Sequence, residues 1–358
     1  MSLQFQIWDA ADPDHRLTWI DAWTKWPGRE LHAHPDYVRL YAGKHARALC
    51  AAASTGGSHL LYPFLLNDLS AQPWCEASLC SYTDISSPYG YAGPFQGGSP
   101  WEASRLSAFW EGFDSWARDA RAVSEVVRFS LFPESLAGYP GECRVISETV
   151  VRTIAGEAEL WRDVEYKVRK NVSRARASGV TVLHDPNAAR LDDFIRIFHG
   201  TMDRRNAAET YYFSRDFFQR ILADLSSHVE WFHACIGETV VSSELVLVSA
   251  DHIYSFLGGT DADWFHVRPN DLLKLEIMNW ARRAGKTAFV LGGGYSPGDG
   301  IYRYKLSFAP GGSVPFSIGS RVLNAGACHE LVRARCVFEA GQGREWQPRP
   351  NFFPAYRS

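Results

Sequence analysis

The sequence predicts an α/β protein of mixed sheets, built as two domains of similar architecture. Three observations carry this. At 358 residues the chain is about twice the length of an average domain. Short β-branched and aromatic runs alternate with longer helical patterns. The order strand, hairpin strand, strand, helix, strand also occurs twice, which puts a boundary near residues 135–155 and divides the chain as 1–150 and 151–358. A single large mixed sheet is the structural alternative.

In the first domain Met1–Asp9 alternates as a strand, and a helix follows Pro35 over Asp36–Tyr41. β-like runs at Ala46–Ala53 and His59–Leu66 flank the turn Thr55-Gly56-Gly57. The Ser-, Pro-, Gly- and Tyr-rich stretch Asp84–Gly98 comes next, and is too long and too biased for an ordinary connection. A helix from Trp101 to Arg121 and a strand at Glu125–Phe132 complete the domain.

The second domain opens with Trp161–Arg176, whose Trp161, Val164, Val168, Val172 and Ala175 share one helical face. Its remaining surface is basic, and Arg162, Arg169 and Arg176 at seven-residue spacing form a ladder suited to phosphates. The alternative is a solvated face paired with nearby acids. Strands at Val229–Cys235 and Val240–Val248 flank Gly237-Glu238, and a third runs His252–Leu257. A helix over Asn270–Ala284 is marked by Pro269 at its start, arginines in its last turn and Gly285 just beyond, before the strand Thr287–Leu291. Ile301–Phe308 then alternates as a strand, with Arg303, Lys305 and Ser307 on one side and Tyr302, Tyr304, Leu306 and Phe308 on the other.

Composition excludes several classes. Hydrophobic residues are 46% and charged residues 22%, so disorder is excluded; a net charge of −3, from 37 basic and 40 acidic residues, leaves any polyanion site local. No apolar run is long enough to cross a membrane, and the N-terminus lacks the basic start and apolar stretch of a signal peptide. The 7 cysteines are odd in number and scattered, which fits reduced thiols in the cytoplasm. Neither the histidines nor the cysteines are spaced as metal ligands, and no GxSxG elbow or nucleophile beside a histidine is present. Aromatic residues reach 14%, a surplus that fills cores or lines a cleft.

Several segments remain as carriers of chemistry. Gly292-Gly293-Gly294 directly follows a strand and lets backbone approach a ligand, although it is neither a dinucleotide fingerprint nor a Walker loop. Lys305 lies among aromatics just beyond it, placed to offset negative charge developing on a carbonyl or to bind phosphate. Met202–Asn206 with Thr210–Arg215 combines charge with Tyr211 and Tyr212, as a substrate loop would. Glu244 is an acid inside the apolar run Val240–Val248: a base, an amine-orienting group, or a strand residue facing solvent.

The basic helix ending Arg169-Lys170-Asn171-Val172-Ser173-Arg174, the run Tyr254–Thr260, Arg268-Pro269-Asn270 opening a helix, the three glycines and Tyr304–Phe308 form an ordered set. With Ser87–Pro94 in the first half, this set resembles the FemAB-like branch of the GNAT acyltransferase superfamily over about residues 80–325. The resemblance implies two tandem GNAT-like domains, each a mixed sheet flanked by helices, with a cleft between or beside them. It also implies an acyltransferase that moves an acyl or aminoacyl group from an activated carrier to an amine of a cell-envelope or surface-glycan precursor. The carrier would be a co-substrate, aminoacyl-tRNA or acyl-CoA, with no permanently bound cofactor and no metal. Partners would then be a small-molecule or glycan-precursor substrate and a tRNA acceptor end, without DNA.

Carried over by position, Lys305 matches the lysine that meets the reacting carbonyl or the RNA end of the donor. The Arg169 helix, with Asn171 and Arg174, matches the family's basic helix, and Arg215 matches an arginine on precursor phosphate. Tyr211, Tyr212, Tyr304 and Tyr89 would complete the substrate site. Gly258, Arg268, Asn270 and Gly292–Gly294 would form the donor site, with main-chain N–H groups near Leu257-Gly258 facing the oxyanion and Glu244 assisting. The sequence departs from the family in two ways. It has no coiled-coil arm, and where acetyl-CoA enzymes carry a glycine-rich turn it reads Phe265–Asp271, with Pro269 lacking an N–H and Asp271 adding negative charge. Acetyl-CoA-dependent N-acetylation of a sugar and non-catalytic binding of a phosphorylated glycan are the alternative functions.

Overall fold

A computed structural model describes residues 3–55, 57–76, 79–132 and 138–358. Met1 and Ser2 of the expected first strand, Gly56 of the expected turn, and residues 133–137 at the near edge of the expected boundary lie outside the described residues. The chain forms two units: Met1–Ile146 with Phe316–Ser358, and Ser147–Pro315.

The first unit has the strands β1 (Gln4–Asp9), β2 (Ala46–Thr55), β3 (Ser58–Asp68), β4 (Thr83–Ser86), β5 (Phe95–Gly97) and β6 (Ala122–Arg128), and the helices α1 (Pro13–Thr24), α2 (Pro35–Arg39) and α3 (Ala103–Asp119). Its sheet runs β1-β2-β3-β4-β6, with β5 also on β3; only β4 and β6 pair in parallel. Alternation sends Phe5 and Ile7 to one face, against Phe109 and Phe113 of α3. The other face packs Cys50, Ala52 and Leu61 under Trp19 and Trp23 of α1. Sequence periodicity missed α1, because its two buried tryptophans make no continuous apolar stripe.

The second unit begins within β7 (Glu142–Thr153) and continues through α4 (Glu157–Asp163), α5 (Tyr166–Ala177), β8 (Val180–His184), α6 (Leu191–Arg204), α7 (Arg215–Leu225), β9 (Val229–Ile236), β10 (Thr239–Val248), β11 (His252–Thr260), α8 (Pro269–Arg283), β12 (Ala288–Gly292) and α9 (Gly300–Leu306). Its strands follow the order β7-β12-β11-β10-β9-β8, and only β11 and β12 are parallel. The core lies where α5 and α8 cover this sheet, on Val168, Val172, Leu273, Ile277, Phe232 and Phe289.

The structure differs from the sequence reading at three places. First, the division at 150/151 assigned everything after residue 150 to one domain, yet Phe316–Ser358 belongs to the first unit. The later half of β13 (Ser313–Val322) pairs with β6, and α10 (Ala325–Gly341) buries Leu331 with Leu69, Trp74, Val123 and Tyr356. Second, Trp161–Arg176 is two helices. Val164 is extended (ψ 151°) and buried, which breaks the run, and Arg169 donates to the carbonyls of Arg162 (2.8 Å) and Val164 at the end of α4. The arginine ladder is therefore absent: Arg162 pairs with Asp163, and Arg176 pairs with Glu276. Third, Ile301–Phe308 lies mostly in helix α9 rather than in a strand. Asp299 caps it, accepting from the Tyr302 N–H at 2.8 Å, and Tyr304 meets Phe308 one turn on, as helical spacing requires.

Candidate functional site

The second unit's sheet opens at its centre. Parallel pairing of β11 with β12 covers only His252↔Ala288, Ile253↔Phe289 and Tyr254↔Val290, after which the strands diverge. Beyond that point lie Ser255–Thr260 on one side and Gly292–Gly294 on the other. Such a gap at the C-terminal ends of two parallel strands leaves main-chain groups available to a ligand.

Polar side chains on the elements around this gap are paired, and Glu244 and Lys274 among them are buried. Glu244 of β10 accepts from Lys274 Nζ of α8 at 2.5 Å, and the same ammonium donates to Ser255 Oγ at 2.8 Å. Lys274 also lies 5.3 Å from the centre of the Phe289 ring. Both ionised side chains are nearly withdrawn from water, so each supplies the charge the other needs. The alternative that Glu244 faces solvent is thereby corrected: the side chain is buried and its carboxylate is engaged by Lys274.

Lys305, in the last turn of α9, donates to the Gly293 carbonyl at 2.7 Å. Burial, reinforced by the positive charge of Lys274, lowers its pKa to about 8, while Glu244 and Asp299 hold it up. This ammonium therefore loses its proton far more readily than a surface lysine. The loop that receives it is shaped by Asp299, whose carboxylate accepts the N–H groups of Tyr295, Ser296 and Tyr302 and so lies below the usual carboxylate range.

The glycines have steric reasons. Gly292 has φ +85°, and a Cβ there would stand 3.0 Å from Lys305 Nζ; a Cβ on Gly293 would stand 2.8 Å from the Glu148 carbonyl oxygen. Gly258 pairs with Glu244, and a Cβ there would lie 2.5 Å from the Ser243 carbonyl oxygen. Gly294 leaves room for the Asp299 carboxylate.

The start of α8 forms the other wall. Asn270 Nδ2 donates to Tyr304 Oη at 2.9 Å, and Asn171 Nδ2 of α5 donates to Asp271 Oδ1 at 2.9 Å. Burial raises the Asp271 carboxyl above its ordinary range, with Asn171 and the charges of Arg268 and Lys167 opposing it. The same burial, beside Asp271 and Glu244, pushes the Tyr304 phenol well up. Arg268 precedes the helix in a left-handed conformation, φ 60°.

Of the residues singled out in the sequence, Lys305, Glu244, Gly258, Gly292–Gly294, Asn270, Tyr304, Arg268 and Asn171 gather around this gap and the start of α8. The others are engaged elsewhere. Arg215 pairs with Asp192, Tyr212 donates to Asp203 at 2.8 Å, Tyr211 and Arg174 are exposed, and Arg169 holds α4. Tyr89 belongs to the first unit, where its carbonyl accepts from Tyr37 Oη at 2.7 Å. Sequence reasoning missed Lys274, Ser255 and Asp299. Only Asp299 had a local signal, an Asp three residues before Tyr302 at a helix start.

Residues 162–306 match the acetyltransferase (GNAT) domain family. The chain has the fold of the FemAB-like GNAT branch. FemX has 14% identity, a TM-score of 0.67, and a match covering 88% of this chain and 98% of that one. The C-terminal domain of a putative lysylphosphatidylglycerol synthetase from Agrobacterium fabrum has 15% identity and a TM-score of 0.54, over 91% of this chain and 96% of that one. A tandem GNAT protein from the clavulanic acid biosynthesis pathway has 9% identity and a TM-score of 0.52, over 90% and 99%. At these identities the likeness is one of fold. No curated protein matches the chain. Among the described residues no helix is long and apolar enough to cross a membrane, and no cluster of His, Cys, Asp and Glu is placed to hold a metal.

GNAT domains take their acyl group from acyl-CoA as a co-substrate, and the carrier's diphosphate is ordinarily received by N–H groups at the helix that follows the splayed strand. The residues here do not fit that group. Pro269 at the first position of α8 has no N–H, the Asp271 N–H donates to the Arg268 carbonyl, and the Asp271 carboxyl is buried in the first turn.

Proposed function

We propose that the second unit transfers an acyl or aminoacyl group from an activated carrier to an amine of a cell-envelope or surface-glycan precursor. The observation that carries this reading is Lys305, an ammonium with its pKa lowered to about 8, set beside the glycine-lined gap between β11 and β12. In the reaction the acceptor nitrogen forms a bond to the carrier's carbonyl carbon, and the carbonyl–oxygen or carbonyl–sulfur bond to the carrier breaks. A proton from the amine ends on the departing alcohol or thiol. Lys305 offsets the charge that develops on the carbonyl oxygen, and main-chain N–H groups near Leu257-Gly258 add to it. The Glu244–Lys274 pair acts through position: the charge of Lys274 lowers the pKa of Lys305 and that of Glu244 raises it.

The misfit at α8 favours a carrier whose diphosphate, if it has one, is not held there; an aminoacyl ester of tRNA is such a carrier. The fold shared with a lysylphosphatidylglycerol synthetase domain is consistent with aminoacyl transfer. The test is mass-spectrometric detection of amide product. The protein is supplied with a lysine-containing muramyl peptide precursor or an amino sugar, and with aminoacyl-tRNA or acetyl-CoA as donor. Amide formation that disappears in Lys305→Ala supports the reading; full activity in that variant overturns the role of Lys305. Product only with acetyl-CoA and an amino sugar overturns the choice of carrier.

A further inference from the structure

The sheet face beneath α1, in the first unit, is covered by the helix only in part: at the edge strand β1 the polar Gln4 and Gln6 are left exposed. Here β1 turns Gln4, Gln6 and Trp8 towards α1, and the strand partners of Gln4 and Gln6 across β2 and β3 are Ser54 with His59 and Ala52 with Leu61. Trp19 and Trp23 close one end of the interval by packing on Cys50, Ala52 and Leu61. The other end is left open as a groove of about 650 Å³, with Thr18, Asp21 and Ala22 of α1 and Lys25 just past its end as the opposite wall. Ala52 of β2 keeps its floor low, and the volume lies within the ordinary range for a small-molecule site.

The lining defines the ligand's chemistry. Trp8 is half-buried and its Nε1–H donates to Gln6 Oε1 at 3.0 Å, which fixes the ring and leaves the Gln6 amide nitrogen with two N–H donors. Gln4 brings a second amide and Ser54 a hydroxyl. The charged groups cancel, because Lys25 pairs with Asp21 at 2.6 Å. An aromatic ring beside amides and hydroxyls, with no net charge, matches a ring that has an apolar C–H face and a rim of hydroxyl groups. We propose that this groove binds a neutral pyranose ring, in a site separate from the acyl-transfer chemistry.

The test is saturation-transfer-difference NMR on the full chain with methyl β-D-glucopyranoside, methyl β-D-galactopyranoside and methyl N-acetyl-β-D-glucosaminide. Saturation transfer to at least one is expected at millimolar concentration, with affinity reduced about 5–10-fold in Gln6→Leu, the effect of one lost hydrogen bond, and abolished in Trp8→Ala. Gln6 is exposed, so its variant keeps the fold and decides the matter if Trp8→Ala does not. Lys305→Ala, which lies in the other unit, should bind as the parent does. No transfer to any of the three glycosides, or equal transfer in the parent and Gln6→Leu, overturns the proposal.

Discussion

Lys274 and Glu244 form an ion pair of 2.5 Å between side chains only 6% and 4% exposed, thirty residues apart in sequence and on different elements. Removing one partner strands the other charge in a low-dielectric setting, at a cost of about 3–5 kcal/mol. Glu244→Gln should therefore lower unfolding free energy by that order in denaturant titrations. Glu244→Leu combined with Lys274→Met, which removes both charges, should recover most of the loss. If the double variant is as unstable as the sum of its parts, the two charges do not act as a pair.

The proton on Lys305 sets two pH profiles. Its folded pKa of about 8 is below the ordinary 10.5, so between those values the unfolded chain binds the additional proton. Stability should accordingly rise with pH across this window by linkage, and the rise should be missing in Lys305→Met. Catalysis, if it uses the ammonium, should run the other way, level below about pH 8 and falling above it. An activity profile in Lys305→Arg that no longer falls above pH 8 would tie the limb to this residue; an unchanged limb would assign it elsewhere.

Glycines of this unit separate into those the fold requires and those it tolerates. A Cβ at Gly258 meets the Ser243 carbonyl oxygen at 2.5 Å, and because that atom belongs to a central strand it has no freedom to retreat. Gly258→Ala should cost about 1–3 kcal/mol as overpacking and displace the strand beside Glu244, with turnover falling further than stability. Gly200, within α6, has nothing within 4 Å of an added Cβ, so Gly200→Ala should stabilise by about 0.5–1 kcal/mol. Thermal unfolding of the two variants decides; destabilisation by both would mean that the strain lies elsewhere.

The parts of this fold that could be read from sequence are those whose signals are local. Helix α8 announced itself through Pro269, its terminal arginines and Gly285, and observation moves its ends by one residue each. Residues 301–308 misled because Tyr302, Tyr304, Leu306 and Phe308 satisfy period two, while the helix is capped by Asp299 and its Tyr302 hydroxyl donates to the Glu148 carboxylate, far away in sequence. The basic run from residue 161 misled in the opposite direction, since its apolar spacing is helical on both sides of a break imposed by the buried Val164. Lys274 is one of several polar residues in α8, and nothing local sets it apart. Its importance comes from Glu244 and Ser255 on neighbouring strands, a relation no window of sequence contains. The same holds for Phe316–Val322, whose partner strand β6 lies almost two hundred residues earlier.

The carrier can be tested at the first turn of α8. A diphosphate arriving there meets a proline without an N–H, an amide already donating to Arg268, and a buried carboxyl held by Asn171. Calorimetry with coenzyme A should therefore show no binding tighter than about 1 mM in the parent chain, equivalent to a free energy weaker than about 4 kcal/mol. Asp271→Asn keeps the shape and the contact with Asn171 but removes the repulsion, and it should strengthen coenzyme A binding several-fold at low salt, with the gain fading as salt rises. Tight binding by the parent chain would mean that Arg268 compensates for the acid and that acyl-CoA is a fitting donor. A null response in both would leave α8 without a part in holding the carrier and place its recognition on the glycine loop and Lys305.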